Sequence, residues 1–178
     1  MKQTEKIKQL ITSSMLAALC CVATMIVQIP SPTQGYLHLG DAVVLLSGWL
    51  LGPLWGTLAA GLGSMLADIF SGYIIYAPAT FLIKASVAAI GWLLFRILCK
   101  VMPKLTFLAL VISGILAEIF MVGGYFAFEA LFIGYGWGAI AGVPLNMIQG
   151  TFGVIVGSAL MHLLEKIHLR VHWEYHSK

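Results

Sequence analysis

Long apolar runs separated by short polar or basic segments dominate this chain. A membrane-spanning helix needs roughly 20 mostly apolar residues. On that basis the pattern predicts six spans, at about 10–29, 41–51, 54–70, 79–98, 105–128 and 139–164. We divide the apolar stretch 42–70 at Gly52-Pro53, because proline removes a backbone donor and disfavours helix in the residue before it. The segment 41–51 is then short for a full crossing.

The segments between the spans are rich in turn-forming, polar or aromatic residues, and we predict loops at 30–40, 71–78 and 134–138. The sequence therefore predicts an all-α membrane protein. Its expected form is a compact bundle of six transmembrane helices in a single domain over residues 1–178.

Composition supports this class and excludes others. Hydrophobic residues make up 60% of the chain, charged residues 10%, and the mean hydropathy is +0.96. These values lie far outside those of a water-soluble globule. The three cysteines, Cys20, Cys21 and Cys99, show neither metal-ligand spacing nor a disulfide framework. We therefore expect no metal site and no nucleic-acid partner.

The basic residues predict the orientation in the membrane. Nine of the ten lie at the N-terminus, between the fourth and fifth spans, or at the C-terminus: Lys2, Lys6, Lys8, Arg96, Lys100, Lys104, Lys166, Arg170 and Lys178. With six spans these three places share one side, and the opposite loops contain no Lys or Arg. Positive charge concentrates on the cytoplasmic side of membrane proteins. Both termini are therefore predicted to be cytoplasmic, and Lys84 is the exception to the pattern.

Ionisable residues inside the spans indicate a binding site. A charge at the bilayer centre costs a few kcal/mol or more, so such residues usually face a cavity or a partner. Asp41, Asp68, Lys84 and Glu118 belong to this group, and Asn146 and Gln149 share one face of the last span. Nearly all of these groups lie toward the outer side, which predicts an outward-facing cup with a closed floor.

Structural alternatives exist for each of these residues. Asp41 could cap the second helix, and Asp68 and Lys84 could form a buried structural ion pair. Asn146 and Gln149 could hydrogen-bond neighbouring helices, and His38 could be solvated in its loop. Glu129 is expected at the membrane interface.

Aromatic residues show the same bias toward the outer side. It holds Tyr36, Tyr73, Tyr76, Tyr125, Tyr135 and Trp137, whereas aromatic belts normally form at both interfaces. Aromatic faces around a cup stack well on a flat heterocycle.

Small residues at four-residue spacing permit close helix approach. We predict that Gly52, Gly56 and Ala60, and likewise the glycines at 150, 153 and 157, pack inside the bundle. The seam of Ser13, Ala17 and Cys21 on the first helix is predicted to contact a partner subunit.

The chain has no Walker A, HExxH or GxSxG motif. The main hypothesis is accordingly a solute-binding transport subunit that takes its energy from partners. The alternatives are a small intramembrane enzyme using Glu118 or Asp68 and a self-sufficient channel or carrier.

Four motifs resemble those of one family: HLGD at 38–41, LLGPLWG at 50–56, ADIFSGY at 67–73, and P-x-x-F-L-I-K at 78–84. The chain resembles the substrate-binding S components of energy-coupling factor (ECF) vitamin transporters. The resemblance implies capture of a vitamin at the extracellular face of a bacterial plasma membrane. It also implies a membrane coupling protein (T component) and two cytoplasmic ATPases as partners; ATP is used by those subunits, and this chain is expected to need no cofactor.

The motif pattern is most similar to the branch for hydroxymethylpyrimidine and vitamin B6-like rings. Riboflavin, pantothenate or another vitamin are alternatives. The loop between the first two helices is expected to gate the pocket. The predicted substrate-binding residues are Tyr36, His38, Asp41, Asp68, Tyr73, Tyr76, Lys84, Glu118, Trp137, Asn146 and Gln149.

Overall fold

The computed structural model describes residues 3–166 and contains five long helices. They are α1 (Gln3–Ile26), α2 (Asp41–Phe70), α3 (Ala77–Val101), α4 (Thr106–Phe128) and α5 (Val143–Lys166). All five are long and apolar enough to cross a membrane. The predicted all-α class is thus confirmed, and the predicted spans 41–51 and 54–70 are joined in α2. The basic residues Lys2, Arg170 and Lys178 lie outside the described residues.

The connections contain more regular structure than the sequence predicted. After the end of α1 at Ile26, two short strands, β1 (Ile29–Pro30) and β2 (Tyr36–Leu37), pair in antiparallel register across the loop predicted at 30–40. Of the loop predicted at 134–138, only residues 134–135 are a linker, between a π-helical turn, Glu129–Ile133, and a 3-10 segment, Gly136–Gly142. Gly134 and Gly136 have positive φ angles of 90° and 52°, which glycine adopts without steric cost.

The chain reverses direction inside α2. Gly52 has φ 77° and ψ −166°, outside the helical region, and Pro53 follows it. A Cβ added at Gly56 would overlap the carbonyl oxygen of Ser47 and lie 3.0 Å from the Cα of Gly48. In a continuous helix, residues nine positions apart are separated by about 13 Å. The two segments of α2 therefore fold back on each other, as the Gly-Pro break predicts.

The first segment of α2 is the centre of the bundle, since every residue from Asp41 to Trp49 is buried. The Trp49 indole fits against glycines on three other helices, at 91, 114 and 157. Small residues on α3, α4 and α5 thus make room for the largest side chain of the core. Gly56 packs against α2 itself, and Gly153 and Gly157 pack against its residues Asp41 and Ala42. The predicted internal packing is confirmed for Gly56, Ala60 and the glycines at 150, 153 and 157, which are buried, whereas Gly52 lies at the break in α2 and is half-buried.

The two ends of the bundle differ in chemistry. At one end the connections 27–40, 71–76 and 129–142 meet, as the hydrogen bonds from Gln28 to Ser71 (2.7 Å) and from Thr33 to Glu129 (2.9 Å) show. We call this the connector end. The opposite end holds the start of α1, the α3–α4 turn and the end of α5, where Phe107 contacts His162. Within residues 3–166, every Lys and Arg except Lys84 lies in the half of the bundle toward this second end.

Candidate functional site

A small, mostly polar cavity lies at the connector end, with a volume of about 30 Å³. This volume holds about one or two water molecules. The cavity is lined by residues from the 27–40 connection and from α2, α3, α4, α5 and the π-helical turn: Ser31, Gly35, Tyr36, His38, Asp68, Tyr76, Thr80, Tyr125, Glu129, Asn146 and Gln149.

Tyr36 closes one side of the cavity. Its hydroxyl donates to Asp68 Oδ1 at 2.7 Å, and its ring packs on Tyr73 with centroids 4.5 Å apart. Burial, followed by the negative charge of Asp68, raises the pKa of the Tyr36 hydroxyl. The hydroxyl therefore keeps its proton and acts as a donor, which ties the 27–40 connection to the end of α2.

Glu129 closes the opposite corner and is only 3% exposed. Its Oε1 accepts from the Thr33 hydroxyl at 2.9 Å and from the Tyr76 hydroxyl at 3.4 Å. Tyr76 also donates to the Thr33 carbonyl at 2.5 Å, and burial together with the charge of Glu129 raises the pKa of Tyr76. Glu129 follows the last residue of α4 and holds the 27–40 connection from inside the bundle.

Four residues connect the cavity to the bundle centre, and we call them the floor network: His38, Gln149, Asp41 and Lys84. The His38 amide donates to Gln149 Oε1 at 3.0 Å, and Gln149 Nε2 donates to Asp41 Oδ2 at 2.8 Å. Asp41 Oδ1 in turn forms an ion pair with Lys84 Nζ, with both side chains almost fully buried. The network thus links the connection, α5, α2 and α3.

The contacts of this network answer two questions that the sequence left open, namely the roles of Asp41 and Asp68. Asp41 does not cap α2, because its two oxygens bind Lys84 and Gln149 and the cap residue is Gly40. The alternative of an ion pair between Asp68 and Lys84 is wrong, because Lys84 pairs with Asp41 and Asp68 accepts from Tyr36.

Glu118 lies beside the floor network and is 4% exposed. It packs against Gly150, and Gly153 contacts both Glu118 and the Asp41 side chain. Among residues 3–166, neither Glu118 oxygen has a hydrogen-bond partner. The Lys84 ammonium lies 5.2 Å from the Tyr125 ring centroid, so it is attracted by the ring as well as by Asp41.

Six of the predicted substrate-binding residues line the cavity: Tyr36, His38, Asp68, Tyr76, Asn146 and Gln149. The other five do not. Asp41, Lys84 and Glu118 lie beneath it, Tyr73 supports Tyr36, and Trp137 is 84% exposed beside Phe126.

The predicted set lacks five lining residues, Ser31, Gly35, Thr80, Tyr125 and Glu129. Helical spacing could have found two pairs, since Thr80 and Lys84, and Tyr125 and Glu129, are four positions apart. Within the described chain, no group of three or more His, Cys, Asp or Glu side chains could hold a metal ion.

His38 is 5% exposed, and its Nδ1 accepts from the Gly40 amide at 3.0 Å. Burial and the positive charge of Lys84 lower the pKa of His38 to about 3. The folded state thus needs the neutral imidazole, whereas the unfolded chain binds a proton below about pH 6.5. Stability from this group is present above about pH 6.5 and is lost as the pH falls toward 3.

We expect the folded protein to lose about 2 kcal/mol of stability through His38 between pH 7 and pH 5. Unfolding in detergent at both pH values measures this loss. In His38→Asn, which keeps an acceptor for Gly40 without a titrating group, the loss should be smaller by that amount. An equal pH dependence in both proteins would contradict a buried neutral imidazole.

The small-residue seam of α1 packs within the chain. The Ser13 hydroxyl donates to the Trp55 carbonyl at 3.1 Å, a Cβ at Gly63 would overlap the Ala17 carbonyl, and Cys21 is buried. Another pair of small residues at the same spacing, Ser14 and Ala18, is exposed on the other face. From the sequence alone, the exposed pair could not be told from the buried seam, because both have small residues at four-residue spacing.

Comparison with known proteins points to one class of membrane transporter. Residues 4–166 match the family described as ECF-type riboflavin transporter, S component. An uncharacterized protein in gap 3'region from Pyrococcus woesei is 36% identical over 147 residues, 82% of this chain and 93% of the relative. The thiamine precursor transporter HmpT from Lactococcus lactis subsp. cremoris (strain MG1363) is 27% identical over 145 residues, 78% of this chain and 75% of that protein.

Two solved structures share the fold. The S component of a bacterial ECF transporter aligns with a TM-score of 0.71 at 26% identity, covering 91% of this chain and 98% of that one. The S component for biotin from an ECF-type ABC transporter aligns with a TM-score of 0.58 at 18% identity, covering 91% and 95% of the two chains. The second likeness concerns the fold alone.

Proposed function

This chain belongs to the S-component family of ECF-type transporters, and we propose that it captures a small water-soluble vitamin or vitamin precursor at the extracellular side. Members of this family are transport subunits, so the alternative of an intramembrane enzyme using Glu118 or Asp68 is wrong. The observation that carries the proposal is the buried polar cavity at the connector end, remote from the basic end.

The proposed orientation has six crossings with both termini in the cytoplasm of a cell whose plasma membrane holds the protein. The basic end then faces the cytoplasm, in agreement with the distribution of positive charge in membrane proteins. The first segment of α2 rises about 16 Å, half of a hydrocarbon core of roughly 30 Å. It enters from the connector end, and the chain turns back at Gly52. Counting its two segments with α1, α3, α4 and α5 gives six, which leaves both ends of the described chain at the basic end.

The proposed substrate is hydroxymethylpyrimidine or a vitamin B6-like ring. The motifs HLGD and ADIFSGY support this choice, and one relative is named as a thiamine precursor transporter. Riboflavin is a second candidate because the matching family carries its name. The cavity of about 30 Å³ favours a single ring, which requires less enlargement than a tricyclic one.

Ligand entry would require movement of the 27–40 connection. Small-molecule pockets usually measure about 300–1,000 Å³, far more than the observed cavity. The hydrogen bonds that hold the connection in place include Tyr36 to Asp68, Thr33 to Glu129, and the His38 amide to Gln149. We propose that the connection is a gate and that these contacts rearrange when a ligand binds.

Mass spectrometry of the ligand extracted from purified protein tests the substrate directly. We expect a hydroxymethylpyrimidine or a B6 vitamer that is released unchanged. Uptake into proteoliposomes should require ATP and the T component with both ATPases. Uptake by this chain alone without ATP would indicate a self-sufficient carrier and contradict the proposal.

The T component is proposed to contact α1. Its seam of Ser13, Ala17 and Cys21 is covered by α2, so the exposed pair Ser14 and Ala18 offers the closer approach. Small residues at this spacing let helix backbones pack closely, whereas larger side chains would hold them apart.

We expect the double variant Ser14→Leu/Ala18→Leu to reduce co-purification of the T component and the ATPases at least about tenfold, because overpacking typically costs 1–3 kcal/mol. Ligand affinity should stay unchanged, since the pair lies far from the cavity. Leu10→Ala/Ile11→Ala, on exposed residues of the same helix, serves as the comparison. Full assembly of the leucine variant would place the coupling contact elsewhere.

A further inference from the structure

The charged side chains that line the cavity are all acidic. Asp68 and Glu129 contribute carboxylates, and no Lys or Arg is among the lining residues of the described chain. Both carboxylates are buried, at 5% and 3% exposure. A buried carboxylate without a counter-charge is costly, so this cavity gains from a ligand that brings positive charge or donors.

In each carboxylate, one oxygen accepts a hydrogen bond and the other has no hydrogen-bond partner. Asp68 Oδ1 accepts from Tyr36, and Glu129 Oε1 accepts from Thr33 and Tyr76. Asp68 Oδ2 and Glu129 Oε2 have no hydrogen-bond partner within 3.5 Å among residues 3–166, although the Thr80 hydroxyl also stabilises the Asp68 carboxylate. Native proteins rarely leave such atoms unpaired, and two separate acceptors of this kind suit a ligand with N–H or O–H donors at two positions.

Lys84 does not neutralise the negative charge of Asp68 and Glu129. Its ammonium pairs with Asp41, and Gln149 lies between that pair and the cavity, with its own amide donating to Asp41. Glu118, packed beside Asp41 across Gly153, adds a further acidic group on the same side. The ion pair of Lys84 with Asp41 is neutral overall. Lys84 still acts electrostatically on His38, but among the described residues that line the cavity no cation offsets Asp68 and Glu129.

The neutral lining groups add no positive charge. His38 accepts the Gly40 amide with Nδ1, which leaves Nε2 as the protonated nitrogen of an uncharged ring. Tyr125 donates its hydroxyl proton to Thr80 at 3.1 Å, so its oxygen is left as an acceptor. Donors remain on His38 and Asn146, but neither is a cation.

We propose that this cavity selects a cationic or neutral ring ligand with N–H or O–H donors and rejects ligands that carry a carboxylate or phosphate. Asp68 and Glu129 are the specificity-determining residues. The inference rests on the proposed function, since it concerns the ligand of the same site, and it separates the vitamins of this transporter class by charge.

Calorimetry on the full chain in detergent at pH 7.5 tests the proposal with matched ligands. Pyridoxamine and 4-pyridoxic acid share a ring and differ in an aminomethyl or carboxylate group; riboflavin and its 5'-phosphate form a second pair. Hydroxymethylpyrimidine and its phosphate form a third pair, and biotin and pantothenate complete the panel as anionic vitamins. Whichever pair binds, we expect the anionic member to bind at least about 100-fold more weakly, because like charges brought together cost several kcal/mol.

Three outcomes are distinguishable. Preference for the cationic or neutral member supports the proposal. An anionic ligand that binds as tightly as its partner, or biotin or pantothenate as the tightest ligand, overturns it and leaves the transport function intact. No binding by any vitamin of the panel, together with no co-purifying T component, overturns the proposed function and this inference with it.

Charge removal tests the two carboxylates. Glu129→Gln keeps an acceptor for Thr33 and Tyr76, and Asp68→Asn keeps one for Tyr36, so each variant mainly loses negative charge. In each we expect the preference against the anionic member to fall at least about tenfold. Glu165→Gln removes the same charge at the basic end and should leave the preference unchanged. An unchanged preference in both cavity variants would show that other groups select the ligand.

Discussion

Replacing Lys84 with Met is expected to destabilise the protein by roughly 3–5 kcal/mol, the cost of leaving a buried ion pair half broken. Lys84 is 0% exposed and Asp41 1%, so water cannot solvate the remaining carboxylate. Gln149 then provides the only remaining hydrogen bond seen for Asp41 in the described structure. Ligand affinity should fall as well, because Gln149 also holds the His38 amide at the cavity.

Unfolding in detergent, followed by denaturant or heat, measures this effect. Lys100→Met makes the same substitution at an exposed site in the last turn of α3, where surface changes are usually within about 0.5 kcal/mol. The double variant Lys84→Met/Asp41→Asn should recover much of the loss, because it removes the unpaired charge. A loss below about 1 kcal/mol in Lys84→Met would contradict a dry ion pair at this position.

Replacing Gly48 with Ala is expected to destabilise the bundle by about 3 kcal/mol or more, because overpacking against backbone is poorly relieved. A Cβ at this position would overlap the carbonyl oxygen of Ala88 and lie 3.0 Å from its Cα. The clash involves the backbone of α3, so no side-chain rotation can relieve it. The first segment of α2 and α3 would have to separate, which would also displace Asp41 from Lys84.

Gly123→Ala provides the matched comparison, since a Cβ there meets no atom within 4 Å. It lies inside α4, where alanine is favoured over glycine by about 1 kcal/mol. We expect Gly123→Ala to keep or raise the unfolding midpoint and Gly48→Ala to lower it. Equal stability of the two variants would contradict the close contact of α2 with α3.

Several features of the fold follow from local sequence. The lengths of the apolar runs predict the helices, since the requirement to satisfy backbone hydrogen bonds in lipid acts on each segment separately. The Gly52-Pro53 dipeptide predicts the break in α2, because both residues act through their own backbone geometry. The exclusion of Lys and Arg from the connector end is likewise visible without coordinates.

The pairing of the buried charges was decided only by the tertiary structure. The ion pair joins residues 43 positions apart, and the contact of Thr33 with Glu129 spans 96 positions. Helix periodicity states which residues share a face of one helix, but not which helix that face meets. The sequence therefore suggested a capping role for Asp41 and an ion pair of Lys84 with Asp68. Only the packing of the first segment of α2 in the bundle centre brings Asp41 to Lys84.

The sequence by itself determined that the chain is a helical membrane protein with buried polar groups toward one end. Hydropathy and backbone chemistry are local properties, and they act whatever the neighbours are. The tertiary structure alone decided that Glu129 lines the cavity, that Lys84 is neutralised beneath it, and that the α1 seam faces α2. Those outcomes depend on which surfaces the packed helices bring together, because burial and Coulomb energy depend on three-dimensional distance.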